Sequence, residues 1–206
     1  MIQGTFNQIV KASGKFGGAR VVFEGKPELL VGGFNIDLNN LPEPGGVLPC
    51  GTAVYANETT REAIPFITAK VARLSEGNVI FEDNGFGDIP FKVGDVIGIP
   101  GEEGETVSAK ASIVAKDGNT VTLSGAITGM QAGTILVKII DGKTPHYPNG
   151  LIPYDIVRDP NAISVDCDVM WANDRPILTR RMPPLPAGVA LSLQSAGCKF
   201  WFSERK

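Results

Sequence analysis

Four segments of this chain share one form: an apolar residue, two variable positions, a glycine, then apolar residues in alternation. They are LPCGTAVYA (48–56), FKVGDVIGI (91–99), MQAGTILVK (130–138) and LPAGVALSL (185–193). Glycine at the fourth position lets the backbone turn tightly without a Cβ clash, and the Val, Ile and Leu that follow give a strand its inward face. Each segment therefore reads as a turn delivering a strand. The glycines stand 43, 39 and 55 residues apart, too irregular for a solenoid or propeller, so the pattern marks recurring strand starts within a barrel or sandwich.

The rest of the sequence agrees with that class. KVARL and VIFED (70–83) flank SEGN, and SAKASIVA and TVTLS (108–124) flank KDGN; both read as hairpins, the second with Asp117 and Gly118 supplying positive φ. In ISVDCDVMW, Ile163, Val165, Cys167, Val169 and Trp171 alternate with polar residues and Met170, the period of one half-buried strand with Cys167 facing inward. No window carries a sustained 3.6-residue stripe, and 25 Gly with 15 Pro interrupt the chain too often for long helices. At most a turn or two of helix is expected, around Pro153 to Val157. The expected fold is all-β: a small barrel or sandwich of short antiparallel strands with an extended N-terminal arm. The arm covers 1–32 and the all-β domain 33–206, with a core barrel over 46–140 and C-terminal strands over 150–206.

Charge is unevenly placed. Lys11, Lys15 and Arg20 give residues 1–20 a charge of +3 with no acid, so the remainder sums to −6 within a total of −3. A body of that sign repels phosphate backbones, which excludes it as a nucleic-acid binder. No apolar run approaches the roughly 20 residues of a membrane helix, and MIQGTFNQIVKASGK lacks the apolar core of a secretory signal, so synthesis in the cytoplasm and no membrane partner are expected.

Chemistry-bearing motifs are scarce. Three cysteines, Cys50, Cys167 and Cys198, form no CxxC pair, and reduced thiols are the default. A Cys/His pair would have to join Cys50 to His146, the single histidine. His146 sits in the turn-rich DGKTPHYPNG and reads as an exposed loop residue, while Cys50 fills the small-residue slot held elsewhere by Val93, Ala132 and Ala187. One histidine leaves zinc without a ligand set. EDNGFGD offers Glu82, Asp83, Asn84 and Asp88 as oxygen ligands but lacks the calcium-loop spacing, and GEEGE (101–105) reads as a solvated hairpin tip. KFGGAR and VGGFN match no phosphate-cradling pattern. No catalytic residue, metal or cofactor is expected. KFWFS (199–203) puts rings on both faces of the last strand, so at least one face needs cover, from the same chain or from another copy.

The run GFNIDLNNLPEPGGVLPCGTAVYANETTREAIPFITAKV (33–71), followed by FKVGDVIG and later by GLIPYDIVRDPNAISVDCDVMW, resembles the head fibre or capsid decoration proteins of tailed phages and prophages of Bacteroides-type bacteria. The resemblance implies a non-enzymatic virion structural protein on the outer capsid surface, a homotrimer whose partner is the major capsid protein. In that setting Lys11, Lys15 and Arg20 are the expected capsid contacts, and Trp201 and Phe202 the expected oligomer interface. The alternatives are a carbohydrate-binding or adhesion β-module, with Trp171 as a sugar platform, and a small β-barrel enzyme.

Overall fold

A computed structural model describes residues 22–23, 25–75, 77–83 and 89–204. Lys11, Lys15 and Arg20 lie outside the described residues, as do Asn84 and Asp88. The chain runs β1 (Pro27–Leu29), β2 (Phe34–Ile36), β3 (Val47–Leu48), β4 (Ala53–Asn57), β5 (Glu62–Pro65), β6 (Thr68–Ser75), β7 (Asn78–Phe81), β8 (Val96–Gly98), β9 (Lys110–Asp117), β10 (Thr120–Leu123), β11 (Ile135–Lys138), β12 (Gly150–Leu151), β13 (Ile156–Val157), β14 (Val165–Cys167), β15 (Met170–Asn173), β16 (Ile177–Leu178), helix α1 (Ala187–Ser195) and β17 (Phe202–Ser203).

Strands β6 to β11 close into a barrel in the order β10-β7-β6-β11-β8-β9, every pair antiparallel. Both expected hairpins are present, β6–β7 and β9–β10. In the second, Gly118 alone takes positive φ (55°), while Asp117, expected to share that role, is the last residue of β9. Closure leaves this part of the fold without free strand edges. Alternate side chains fill the interior, among them Val71, Phe81, Ile97, Ile113, Val121 and Leu136, and Phe81 meets Phe91 edge to face with centroids 5.7 Å apart. The barrel strands span Thr68 to Lys138, a narrower range than 46–140, because β3, β4 and β5 belong to other sheets.

The second layer is a seven-stranded sheet in the order β1-β15-β12-β4-β5-β2-β14, antiparallel except for β2–β5. β1, within the span read as arm, pairs with β15. Two side chains from the barrel tie this layer down by converging on one carbonyl. Lys92 Nζ and Lys138 Nζ donate to Asn39 O at 2.9 and 2.6 Å, and Lys138 also pairs with Asp95 at 3.0 Å, both side chains at most 10% exposed. Burial, with Lys138 close by, pulls Lys92 below the usual lysine pKa.

Three further expectations fail for identifiable reasons. LPAGVALSL does not deliver a strand but forms α1: Val189 and Leu193, four residues apart, are its buried pair, which is the helical repeat, and Ala and Leu replace the β-branched residues of the other three segments. Gly197, at φ 82°, ends it with Cys198 N–H donating to Leu193 O (3.0 Å) and Gly197 N–H to Gln194 O (3.0 Å), the paired bonds of a left-handed helix cap. Residues 153–157 are not helical; Ile156 and Val157 pair with β3. ISVDCDVMW is two strands, not one. Ile163 is 95% exposed, Cys167 is buried as expected, and Val169 and Met170 are buried side by side because the chain leaves the edge beside β2 and crosses to lie between β1 and β12. Tyr154 holds the crossing: its hydroxyl oxygen accepts from Asp168 N–H (2.9 Å) and its O–H donates to Asp168 Oδ2 (3.3 Å).

Candidate functional site

Cys50 and His146 occupy different environments. Cys50 is 6% exposed, its N–H donating to Asp155 Oδ1 (2.7 Å) and its thiol to Pro153 O (3.2 Å). It packs in the hydrophobic cluster of Ala53, Phe66, Leu151, Met170 and Leu193. His146 is open to solvent, yet it is not the loose loop residue its context implied. Its ring stacks on Tyr55 with centroids 4.8 Å apart, and its Nδ1 lies 2.8 Å from Glu103 Oε1. Glu103 comes from GEEGE, so that loop is a partner rather than a free tip; Glu105 Oε2 also accepts from Glu102 N–H (3.0 Å). No local spacing links residues 103 and 146, and only the fold brings them together.

The pair borders a recess of about 580 Å³ lined by Tyr55, Glu103, Tyr147, Asn149, Ser192 and Ser195. Asn149, Ser192 and Tyr147 are committed to backbone. Asn149 accepts from Ala56 N–H (2.8 Å) and donates to Ala56 O (2.9 Å), and Ser192 Oγ donates to Pro148 O (3.1 Å). Burial and then the field of Glu102, Glu103 and Glu105 raise the Tyr147 pKa. An imidazole oriented by a carboxylate is half of a nucleophile-activating device. Cys50 does not supply the other half, since its thiol faces Pro153 O. The thiols of Cys167 and Cys198 are held as neutral groups. Burial, then Asp168 and Asp166, push Cys167 up to about 12, and burial raises Cys198 to about 11, with its Sγ 3.0 Å from Asn149 O. Among the described residues no group of three His, Cys, Asp or Glu side chains could hold a metal, and Glu82 is paired with Lys70 at 2.9 Å.

The terminal aromatic segment divides by face. Phe200 and Phe202 pack on the second hydrophobic cluster, with centroids 6.0 Å apart, so the chain itself supplies the cover for that face. Phe202, expected at an oligomer interface, is thereby largely engaged within its own chain. Trp201, between them, is 62% exposed. Trp171 carries Lys199 Nζ over its ring at 5.4 Å.

Strand β16 gathers both ends of the described chain. Phe23 bridges Ile177 antiparallel on one side, and β17 pairs parallel on the other, with Ile177 N–H donating to Trp201 O (2.8 Å). Phe23 and β17, the strand that follows the exposed Trp201, therefore flank β16 on opposite sides. Comparison with protein-family models, with curated proteins and with solved structures finds no match for this chain.

Proposed function

We propose that the protein is a non-enzymatic surface module of a virion, decorating the outer capsid as a homotrimer, with the basic segment 1–20 contacting the major capsid protein and Trp201 lying at the seam between copies. What supports the reading is the arrangement at β16, which pairs with Phe23 on one side and with β17, next in sequence to the exposed Trp201, on the other. Individually weak contacts of this kind gain strength when several copies engage together.

The test uses shells and the full chain. Deleting residues 1–20 should abolish co-sedimentation with capsids, and Trp201→Ala should lower the solution mass from trimer to monomer without lowering stability, whereas Cys50→Ser and His146→Ala should leave both properties intact. Unchanged capsid binding after the deletion refutes the assignment of the basic segment. A trimer that survives Trp201→Ala refutes the seam. The recess lined by Tyr55, Glu103 and Tyr147 favours one second reading, a saccharide-binding adhesion module, which predicts glycan binding lost on Tyr55→Ala.

A further inference from the structure

One face of α1 and side chains from other segments line the recess of about 580 Å³. Gly188, Leu191, Ser192 and Ser195 stand at the spacing that puts residues on a single helical face, and that face is distinct from the one that buries Val189 and Leu193. The side chains from outside the helix are held in place. His146 stacks on Tyr55 and engages Glu103 Oε1 at 2.8 Å. Tyr147 lies against Gly188, where a Cβ would stand 3.2 Å from the phenol oxygen, and its O–H donates to Gly101 O (3.3 Å). Two aromatic rings and a carboxylate therefore border the cavity in fixed positions, which lowers the ordering cost of taking up a ligand.

The hydrogen-bonding capacity left in the recess is mainly that of an acceptor. The hydroxyl protons of Tyr147 and Ser192 go to Gly101 O and Pro148 O, so these groups keep only oxygen lone pairs. Asn149 uses both ends of its amide on Ala56. Glu103 has Oε1 on His146 and keeps Oε2. Neither lysine nor arginine is among the described lining residues. After burial, the charges of Glu102, Glu103 and Glu105 raise the Tyr147 pKa, so the negative field of the GEEGE loop reaches the cavity wall.

From the acceptor-rich lining, the paired rings and the single unbalanced carboxylate we infer that the recess binds an organic cation, a guanidinium or primary ammonium carried on a short alkyl stem. The cation donates to Glu103 Oε2 and rests against the Tyr55 or Tyr147 ring, whose face attracts positive charge. Leu191, 64% exposed, supplies apolar surface for the stem. An anion would meet Glu103 with no counter-charge beside it, and a neutral ligand would take water from the carboxylate without replacing it by charge. The site stands whether or not the protein decorates a virion or holds a saccharide.

The experiment titrates butylguanidinium into the full chain and follows backbone amide shifts by NMR. The expected shifts centre on Tyr55, Glu103, Tyr147 and residues 188–196, with a Kd of about 1–10 mM for a ligand this small. Butylurea, of the same shape without the charge, should bind about tenfold more weakly, and Glu103→Gln, which keeps an oxygen for His146, should weaken butylguanidinium about tenfold. Equal binding of butylurea, undiminished affinity in Glu103→Gln, or no shift at these residues by about 50 mM overturns the inference. Ser195→Arg gives a second readout at an exposed helix position: its own guanidinium should fill the recess and abolish the shifts at Tyr55 and Glu103, and full binding in this variant also overturns the inference. Acetyl-arginine methylamide identifies the source of the cation. Binding as tight as that of butylguanidinium assigns the arginine side chain of a partner, and failure to bind while butylguanidinium binds assigns a free small molecule.

Discussion

Replacing Lys138 by methionine should destabilise the protein far more than any surface change. The ammonium lies 3.0 Å from Asp95 Oδ1 with both side chains nearly enclosed, and at an effective dielectric of about 20 the gross attraction is about 5.5 kcal/mol. Desolvation offsets much of that in the intact pair. When the cation alone is removed the offset stays and the attraction goes, because Asp95 remains buried with the Lys92 N–H (2.9 Å) as a hydrogen-bond donor. The expected loss is about 3–5 kcal/mol, which for a chain of this length lowers Tm by roughly 10 °C. Asn39 O still accepts from Lys92 Nζ, so the tie between the two layers weakens without being severed. Adding Asp95→Asn to Lys138→Met removes the stranded charge and should recover stability to within about 1–2 kcal/mol of the parent. The assay is urea unfolding of the parent, both single variants and the double variant. A loss below about 1 kcal/mol for Lys138→Met, or additive single effects, would refute the reasoning.

Two further outcomes are expected. Gly150→Ala should cost about 1–3 kcal/mol, since its Cβ would collide with Val169 Cγ1 and stand 3.0 Å from Met170 O, while Gly125→Ala, with nothing within 4 Å, should be neutral in the same urea unfolding assay. Stability should also decline in alkali: Cys167 and Cys198 have folded-state pKa values of about 12 and about 11 against an ordinary thiol value of 9.0, so the folded state keeps protons that the unfolded state releases. Their contribution is complete below pH 9 and is lost as pH rises toward 11 and 12; Cys167→Ala should flatten that decline in a pH series of denaturant midpoints.

Local chemistry made the hairpins legible. A Gly-containing turn between β-prone runs specifies β6–β7 and β9–β10 whatever surrounds them, and the all-β class follows from the absence of helical stripes. The pattern failed where local and tertiary demands diverge. LPAGVALSL matches its three counterparts in the placement of glycine, but alternate apolar residues in an Ala- and Leu-rich run are also compatible with a helix, and the helical repeat puts Val189 and Leu193 together in the buried cluster that holds Val137, Ile139 and Leu151. In ISVDCDVMW the alternation holds only from Val165 to Cys167, with Ile163 left exposed; the crossover is held by the Tyr154 hydroxyl, which periodicity does not encode. The Glu103–His146 pair was invisible for a related reason, since its partners come from loops on either side of the barrel strands β9 to β11. The rings of KFWFS showed that cover was needed, but not that Phe200 and Phe202 find it at home while Trp201 does not.

The barrel strands are consecutive in sequence, whereas the seven-stranded sheet draws β1, β2, β4 and β5 from before them and β12, β14 and β15 from after. On the ribosome the barrel can thus close while its flanks are incomplete, and the earlier sheet strands must wait, partly unpaired, until residue 173 has emerged. Vectorial synthesis gives this molecule an obligatory late step, and a chaperone that binds nascent chains would find its client in strands made first and completed last.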